Sequence, residues 1–397
     1  MVILKKKKPN HRYEADIMRG IIVLSVVAMH TVGTITYVDT TEFYSIFQYG
    51  ILILLRYNRQ AFIFITAFVL VYVYNKPDLN WVEFWKKRTI GIIIPYVIWS
   101  IVYVAINVKN PSLYNYVYDT LLGSSSYQMY YILLAIQLYL LLPFFIKILN
   151  RIREKAIITL VSLSIFQILL MSYTYYVLRL NNTNYKFTQR LVHIQYRFIL
   201  FYLIYIFLGG FFALYYKDIE RIIKKNYKKA ITFFILSTLA LLASYVLEVY
   251  TFHLPIDFAS AFDQPLIITY SLALIIVIFK LSIDLSKNKI KLVKKINKQI
   301  VKFFFIVSEA AFGIYLMHPI ILNFVSSNII YPIYRYNINT PLIGFFSVFI
   351  GWILTVLIVL AIVLIIIQIP YLNILVGKYS KYERKQNKKT PMLDTQL

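Results

Sequence analysis

Residues 19–30 read R-G-I-I-V-L-S-V-V-A-M-H, an apolar run that begins with Arg19 and ends with His30. In an α-helix the steps between these two residues turn the chain by about 1100°, within about 20° of three full turns. The two side chains therefore share one face of a predicted helix and lie about 16 Å apart along its axis. A cation and an imidazole inside hydrocarbon are energetically costly and usually mark a pathway or a site.

The composition predicts an all-α, polytopic membrane protein. The chain has 397 residues, of which 60% are hydrophobic and 15% are charged, and its mean hydropathy is +0.67. Soluble domains carry about 25% charged residues. The absence of cysteine excludes disulfides, thiolate nucleophiles and Cys-ligated metal sites. The five histidines show no metal-ligand spacing, so no metal site is expected.

The formal charge of +25 is distributed in a way that indicates membrane topology rather than nucleic-acid binding. Lys and Arg cluster in short segments between apolar runs, where they also face anionic lipid headgroups. About ten transmembrane helices are predicted, at about 15–37, 59–74, 89–107, 127–148, 156–178, 195–216, 230–249, 265–281, 301–324 and 341–369. An amphipathic outer piece is expected at about 46–57, before the second helix.

Counting basic residues gives the predicted orientation of these helices. Of the 42 Lys and Arg, eight fall in outer segments, namely Arg56, Arg59, Lys109, Arg179, Lys186, Arg190, Arg197 and Arg335. The remainder fall in inner segments, so both termini are predicted to be cytoplasmic. The predicted organisation is a basic amino-terminal segment at 1–14, one membrane domain at 15–370 and a basic tail at 371–397.

Two interpretations of Arg19 and His30 remain open from the residues alone. In the first, an interfacial arginine orients the helix and the histidine is hydrogen-bonded inside the bundle. In the second, the arginine binds phosphates of a cytoplasmic donor and the imidazole acts as a base at the far end.

Two further stretches combine polar residues with an apolar helix. Residues 308–319 read S-E-A-A-F-G-I-Y-L-M-H-P, in which Gly313 permits close helix approach and His318 before Pro319 predicts a bend with freed backbone groups. Residues 86–96 read K-K-R-T-I-G-I-I-I-P-Y. There a basic cluster opens a predicted helix with Pro95 in its interior. It is either an anion site helped by the helix dipole or an orientation signal.

At these three stretches the sequence resembles the acyltransferase-3 family of integral membrane acyltransferases. Arg19 and His30 match the family's arginine and histidine in the first helix. Arg88 and Pro95-Tyr96 resemble its third-helix pattern. The late-helix pattern is matched at Ser308, Gly313, Tyr315, Leu316, His318 and Pro319. Where many relatives have a second basic residue after Arg88, this chain has Ile90 or Gly91.

The resemblance implies an acyltransferase that uses acyl-CoA as co-substrate and holds no bound cofactor. It implies His30 and His318 as catalytic residues, with His30 either the general base or a transient acyl carrier. Arg19, Lys86, Lys87 and Arg88 would bind the donor. Tyr315 and Tyr130 would position the acceptor.

Within the family the chain resembles most the Gram-positive branch that lacks an appended extracellular domain. This resemblance implies a multi-pass protein of a bacterial cell membrane that transfers acetyl or succinyl to a cell-surface glycan. Its expected partners are the glycan acceptor, acyl-CoA and the lipid bilayer, with a polysaccharide synthase as a candidate and no nucleic acid. Two alternatives are a polysaccharide exporter, or flippase, and a membrane scaffold for a synthase.

Overall fold

The computed structural model describes residues 11–35, 42–77, 79–180, 192, 194–287, 294–332 and 341–378, without the side chains of 42–44, 294–298 and 341–343. These residues form helices and connecting turns, and no strand occurs among them. The α-helices are α1 Tyr13–Thr34, α2 Glu42–Leu55, α3 Asn58–Tyr74, α4 Trp81–Arg88, α5 Ile94–Asn107, α6 Leu113–Leu122, α7 Tyr130–Arg151, α8 Ala156–Ser172, α9 Leu203–Leu214, α10 Tyr216–Lys225, α11 Tyr227–Tyr250, α12 Ile256–Ala259, α13 Leu266–Ser286, α14 Lys294–Val325 and α15 Pro341–Gln368.

The described chain contains nine helical spans that are long and apolar enough to cross a membrane. A tenth is formed if Ile199–Leu214 and Tyr216–Lys225, which meet at an angle of 102°, are taken together. The predicted all-α, multi-pass fold with about ten spans is therefore confirmed. The cytoplasmic placement of both ends remains a prediction, and residues 1–10 and 379–397 lie outside the described residues.

Helix α1, which carries Arg19 and His30, lies at the centre of the bundle. It packs against α2, α3, α13, α14 and α15. Its apolar residues, from Ile17 to Val32, are largely buried. The approach to α14 is close at Gly20, where a Cβ atom would lie 2.9 Å from the backbone oxygen of Phe304. Small residues at such crossings allow backbones to pack closely in membranes.

The second span is longer than predicted, because α2 and α3 form one helical segment from Ser45 to Tyr74. The expected outer amphipathic piece at 46–57 belongs to this span, so that expectation was wrong. Asn58 ties the junction to α1: its Oδ1 accepts a hydrogen bond from the Ser25 hydroxyl, and its Nδ2 donates to the Ser25 carbonyl at 3.1 Å. Arg56 and Arg59, counted above as outer residues, therefore lie within the helical span.

The third span also begins earlier than predicted. Helix α4 starts at Trp81, and the Asn80 side chain caps it by accepting a hydrogen bond from the backbone N–H of Glu83 at 3.1 Å. It continues into α5 through a π-helical turn at Thr89–Ile93, just before Pro95, which has no backbone N–H to donate. Residues 86–88 therefore lie in the last turn of α4. The alternative in which the dipole at a helix N-terminus helps these residues bind an anion is wrong.

The sixth span is irregular where a continuous helix was predicted at 195–216. It begins with 3₁₀ turns at Gln195–Arg197 and Ile199–Tyr202 and becomes helical only in α9. Helix α9 packs against α3 at Gly209, where a Cβ would lie 2.4 Å from the backbone oxygen of Phe64. This close contact holds α3, and with it Asn58 and Arg59, against the bundle.

Candidate active site

Two histidines from distant parts of the sequence meet inside the bundle. His30 of α1 and His318 of α14 stack with their ring centroids 5.2 Å apart. The ring of Tyr127 lies 4.4 Å from His30 and 6.3 Å from His318. His318 is fully buried, whereas His30 is partly exposed. The structure therefore brings together the two residues that the sequence predicted as catalytic.

The proline that follows His318 determines which ring nitrogen of His318 carries the hydrogen. In a helix the N–H of residue 319 would donate to the carbonyl of Tyr315, but Pro319 has no N–H. The Nδ1 of His318 lies 2.9 Å from that carbonyl oxygen and 3.1 Å from the carbonyl oxygen of Ile314. Carbonyl oxygens only accept, so Nδ1 carries the hydrogen and Nε2 is left as an acceptor.

The Nε2 atom of His318 is buried and has no hydrogen-bond partner among the described residues. A buried basic nitrogen without a partner is costly unless a ligand or water satisfies it. The freed carbonyl expected at the His318–Pro319 pair is present, and α14 continues through Pro319 to Val325.

A short segment before α7 forms the opposite wall of the site. The side-chain amide of Gln128 is buried, and neither its nitrogen nor its oxygen has a partner among the described residues. The hydroxyl of Tyr315 donates to the backbone carbonyl of Gln128. Tyr315 therefore anchors the segment that carries Tyr127 and Gln128. Tyr315 also lines the cavity beside His30, and its role in positioning the acceptor remains a prediction.

A small cavity of about 20 Å³ lies beside His30. Its polar lining is contributed by His30, Asn58, Arg59, Gln128, Tyr130, Tyr131 and Tyr315. This volume has room for about one water molecule. An acyl group can enter only if neighbouring side chains move.

The predicted donor residues lie at the other end of α1. Arg88 is buried, donates to the Tyr74 hydroxyl at 3.0 Å and sits 5.2 Å from the ring centroid of Tyr139. Arg19 is 3.4 Å from a carboxylate oxygen of Asp16, with 15% of its side chain exposed. Tyr139 lies within electrostatic reach of both arginines. Arg19 and Arg88 are far apart in sequence, and Tyr139 is the residue that both of them influence.

The two lysines of the predicted donor site occupy a more exposed position. Lys86 is exposed, and Lys87 is paired with Glu83 at 3.1 Å on the surface of α4. Ion pairs of this kind contribute little to stability, which leaves both cations accessible near the mouth of the Arg19–Arg88 end. The structure does not place them beside the buried arginines.

Side chains of α7 connect the two ends. Tyr139 stands near Arg19 and Arg88, and Tyr131, two helical turns earlier, lines the His30 cavity. Tyr131 is within electrostatic reach of Arg19. Its ring lies 5.6 Å from Phe62 and 5.7 Å from Tyr315, so three aromatic rings close the cavity towards the arginines. His30 and Tyr131 line the same cavity, and Arg19 is within electrostatic reach of Tyr131, so Arg19 and His30 both lie on the side of α1 towards Tyr131.

Sequence reasoning missed a group of arginines near the histidines. Arg59 lines the cavity, and its guanidinium lies 4.5 Å from the ring centroid of Phe262 and 5.8 Å from that of Tyr130. Gln128 was missed as well, because nothing in its local sequence sets it apart. Arg56 and Arg59 carried a usable signal, since the apolar run from Ser45 to Tyr74 is unusually long and contains them.

Among the residues that the structure describes, no group of three His, Asp or Glu is arranged to hold a metal ion. The polar side chains that line the cavity include imidazole, amide and guanidinium groups. Imidazoles transfer protons near neutral pH, and buried amide donors stabilise oxyanions. This combination is suited to acyl transfer between oxygen or sulfur atoms.

Comparison with known proteins agrees with this chemistry. The model of the acyltransferase-3 family, described as an acyltransferase domain, matches residues 12–372. No curated protein and no solved structure matches the chain. Because the match spans nearly the whole chain and includes every residue of the histidine site, this protein belongs to the acyltransferase-3 family and is a multi-pass membrane acyltransferase.

Proposed function

We propose that the protein moves an acetyl or succinyl group from a cytoplasmic acyl-CoA to a hydroxyl group of a cell-surface polysaccharide. One observation carries the proposal: a stacked histidine pair lies at one end of α1, while Arg19 at the other end and the buried Arg88 both lie within electrostatic reach of Tyr139. Arginine suits the phosphates of CoA, and imidazole suits the deprotonation of a hydroxyl.

The donor is held at the Arg19–Arg88 end. Guanidinium groups bind phosphate oxygens in a fixed fork geometry, and Lys86 and Lys87 add positive charge at the mouth of this end. The pantetheine arm then extends along α7 past Tyr139 towards Tyr131. The rings of Phe62, Tyr131 and Tyr315 must part to admit the thioester to the cavity.

The acceptor is activated at the histidine pair. The acceptor oxygen attacks the thioester carbonyl carbon, His30 takes the hydroxyl proton, the C–S bond breaks, and the proton passes to the leaving sulfur. The free Nε2 of His318 accepts a hydrogen bond from a second hydroxyl of the acceptor sugar, which orients the attacking hydroxyl towards His30. Because Nε2 carries no hydrogen, the oxyanion needs another donor, and the Gln128 amide is a neutral donor that lines the cavity and has no geometric hydrogen-bond partner among the described residues.

The finer assignment of substrate rests on resemblance. The run H-P-I-I-L at His318–Leu322 resembles the membrane protein of the staphylococcal intercellular-adhesin system. That protein has been described both as a glycan O-acyltransferase and as an exporter. We therefore place this protein in the cell membrane of a Gram-positive bacterium, modifying an exopolysaccharide beside its synthase.

His30→Ala is expected to lower the rate of glycan acylation by about 10²–10⁴-fold, the usual contribution of a general base. The measurement is mass spectrometry of surface polysaccharide from cells that carry the variant, together with transfer by the purified protein. His253→Asn is the matched control, since His253 is exposed and has a φ of +52°, which Asn tolerates. Unchanged acylation by His30→Ala at normal protein levels contradicts the mechanism.

The same experiment separates the alternatives. An exporter predicts that polymer accumulates inside cells that carry His30→Ala, whereas an acyltransferase predicts exported polymer without the ester. A scaffold predicts no effect of His30→Ala and a loss of polymer on deletion. If His30 is the acyl carrier, rapid acid quenching traps an acyl group on the wild-type protein that His30→Ala lacks.

Arg19→Ala and Arg88→Ala are each expected to raise the KM for acyl-CoA about 10- to 100-fold, because each removes hydrogen bonds to charged phosphate groups. Arg151→Ala is the matched control, since Arg151 is exposed at the end of α7. Measuring acyl-CoA binding and steady-state rates in the purified protein distinguishes affinity from turnover. An unaltered KM in both variants rules out the proposed donor site.

Gln128→Ala is expected to lower kcat about 10²- to 10³-fold with little change in KM, which is the signature of a lost oxyanion donor. Gln128→Glu keeps the size of the side chain and removes the donor, so it is expected to be equally impaired. Full activity of Gln128→Glu would show that the amide N–H is not used. Size-exclusion profiles check that both variants are folded.

A further inference from the structure

An uncompensated positive charge lies beside the histidine pair. Arg59 lines the cavity that His30 also lines, and Arg56 stands one turn earlier along the same span. The Nε atoms of both arginines are buried and have no hydrogen-bond partner among the described residues. His30 is within electrostatic reach of both guanidinium groups.

The nearest carboxylate is already committed elsewhere. Asp263 is fully buried, and its Oδ1 is 2.7 Å from Nη1 of Arg179. Its Oδ2 accepts a hydrogen bond from the Gln195 amide at 3.0 Å. In the described part of the chain no ion pair joins Arg56 or Arg59 to a carboxylate. Arg56, Arg59 and Arg179 therefore share one acid between three guanidinium groups.

Packing explains part of this arrangement. Arg59 lies over the rings of Phe262 and Tyr130, and cation–π contacts of this kind contribute modestly. Arg59 also interacts with the hydroxyls of Tyr130 and Tyr202. None of these contacts supplies the negative charge that two adjacent cations require. Buried charge without a counter-charge is strongly unfavourable. An anion that arrives with the substrate removes this penalty.

We propose that Arg59, with Arg56 behind it, binds a carboxylate group of the substrate within reach of the reacting ester. This inference rests on the proposed function and narrows the class of substrate. Either the acyl group or the acceptor carries a negative charge close to the ester bond that forms. Two sources fit the same chemistry. The anion is either the free carboxylate at the far end of a dicarboxylic acyl chain or an acidic group on the acceptor sugar.

Arg59 suits this role better than a lysine would. Its planar fork matches the two oxygens of a carboxylate, whereas an ammonium group acts as a point charge. Its position on the same cavity as His30 and Gln128 places the anion a few ångströms from the acyl carbon. An acetyl group transferred to a neutral sugar would leave the guanidinium without its counter-charge.

The test compares four reactions of the full-length protein in lipid nanodiscs. Acetyl-CoA or succinyl-CoA is supplied with either a neutral N-acetylglucosamine oligomer or an oligomer that contains a uronic acid. The wild-type protein is expected to react faster with one of the two anionic reactants, succinyl-CoA or the uronic acid oligomer. Arg59→Gln is expected to lower kcat/KM for that reactant about 30-fold. The same variant is expected to change kcat/KM little for acetyl-CoA with the neutral oligomer. Arg59→Lys should be intermediate. Arg221→Gln, which removes a guanidinium that is 81% exposed, is the matched control.

The arms identify the source of the anion. Selective loss with succinyl-CoA assigns it to the acyl group, and selective loss with the uronic acid assigns it to the acceptor. An equal loss in all four reactions assigns Arg59 to packing and overturns the inference, as does no loss in any of them. Either result leaves the acyl transfer itself in place.

A binding measurement separates this inference from the proposed function. Isothermal titration of succinate and of glucuronate into the wild-type and Arg59→Gln proteins is expected to show Arg59-dependent binding of one of them. If wild type transfers no acyl group to either glycan but binds an anion through Arg59, the proposed function fails and the anion site stands. If neither acid binds in an Arg59-dependent way, the anion site is wrong whatever the activity.

Discussion

The hydrogen bond between Nδ1 of His318 and the carbonyl of Tyr315 is the interaction on which the site depends. It exists because Pro319 removes the backbone donor that the carbonyl would otherwise meet. The helical turn from Tyr315 to Pro319 thereby determines the tautomer of His318 and the direction of its free nitrogen. It also orients the ring that stacks on His30. Tyr315 extends the effect, since its hydroxyl holds the segment that carries Tyr127 and Gln128.

The bundle is arranged so that one helix spans both halves of the reaction. Helix α1 lies between α3, α13, α14 and α15, which leaves its polar face turned towards α7. In a low-dielectric interior, charges and imidazoles that do not serve packing are expensive to keep. Their concentration along this one face, with arginines at one end and histidines at the other, is the physical basis for assigning donor and acceptor ends.

Much of this arrangement was predictable from the sequence, and the reasons differ from residue to residue. Arg19 and His30 lie on one helix, so their shared face follows from helical geometry alone. His318 and Arg88 came from motifs. The structure stacks His318 on His30, and it places Arg88 and Arg19 within electrostatic reach of Tyr139. Gln128 and Arg59 become recognisable only after folding, because their significance depends on which buried atoms are left without partners. The sequence did not predict the irregular start of the sixth span, nor that α2 and α3 belong to one span. Both places lie in largely apolar segments, and such segments give little indication of where a helix begins or is interrupted.

The central claim is that donor and acceptor reach the histidine pair from opposite ends of the protein. Reconstitution in liposomes of known orientation tests it directly, with acyl-CoA enclosed on one side and the glycan on the other. The account predicts ester formation only when acyl-CoA is on the side of Arg19 and Arg88 and the glycan is on the side of His30 and His318. Equally fast transfer with both reactants supplied only on the histidine side would contradict it.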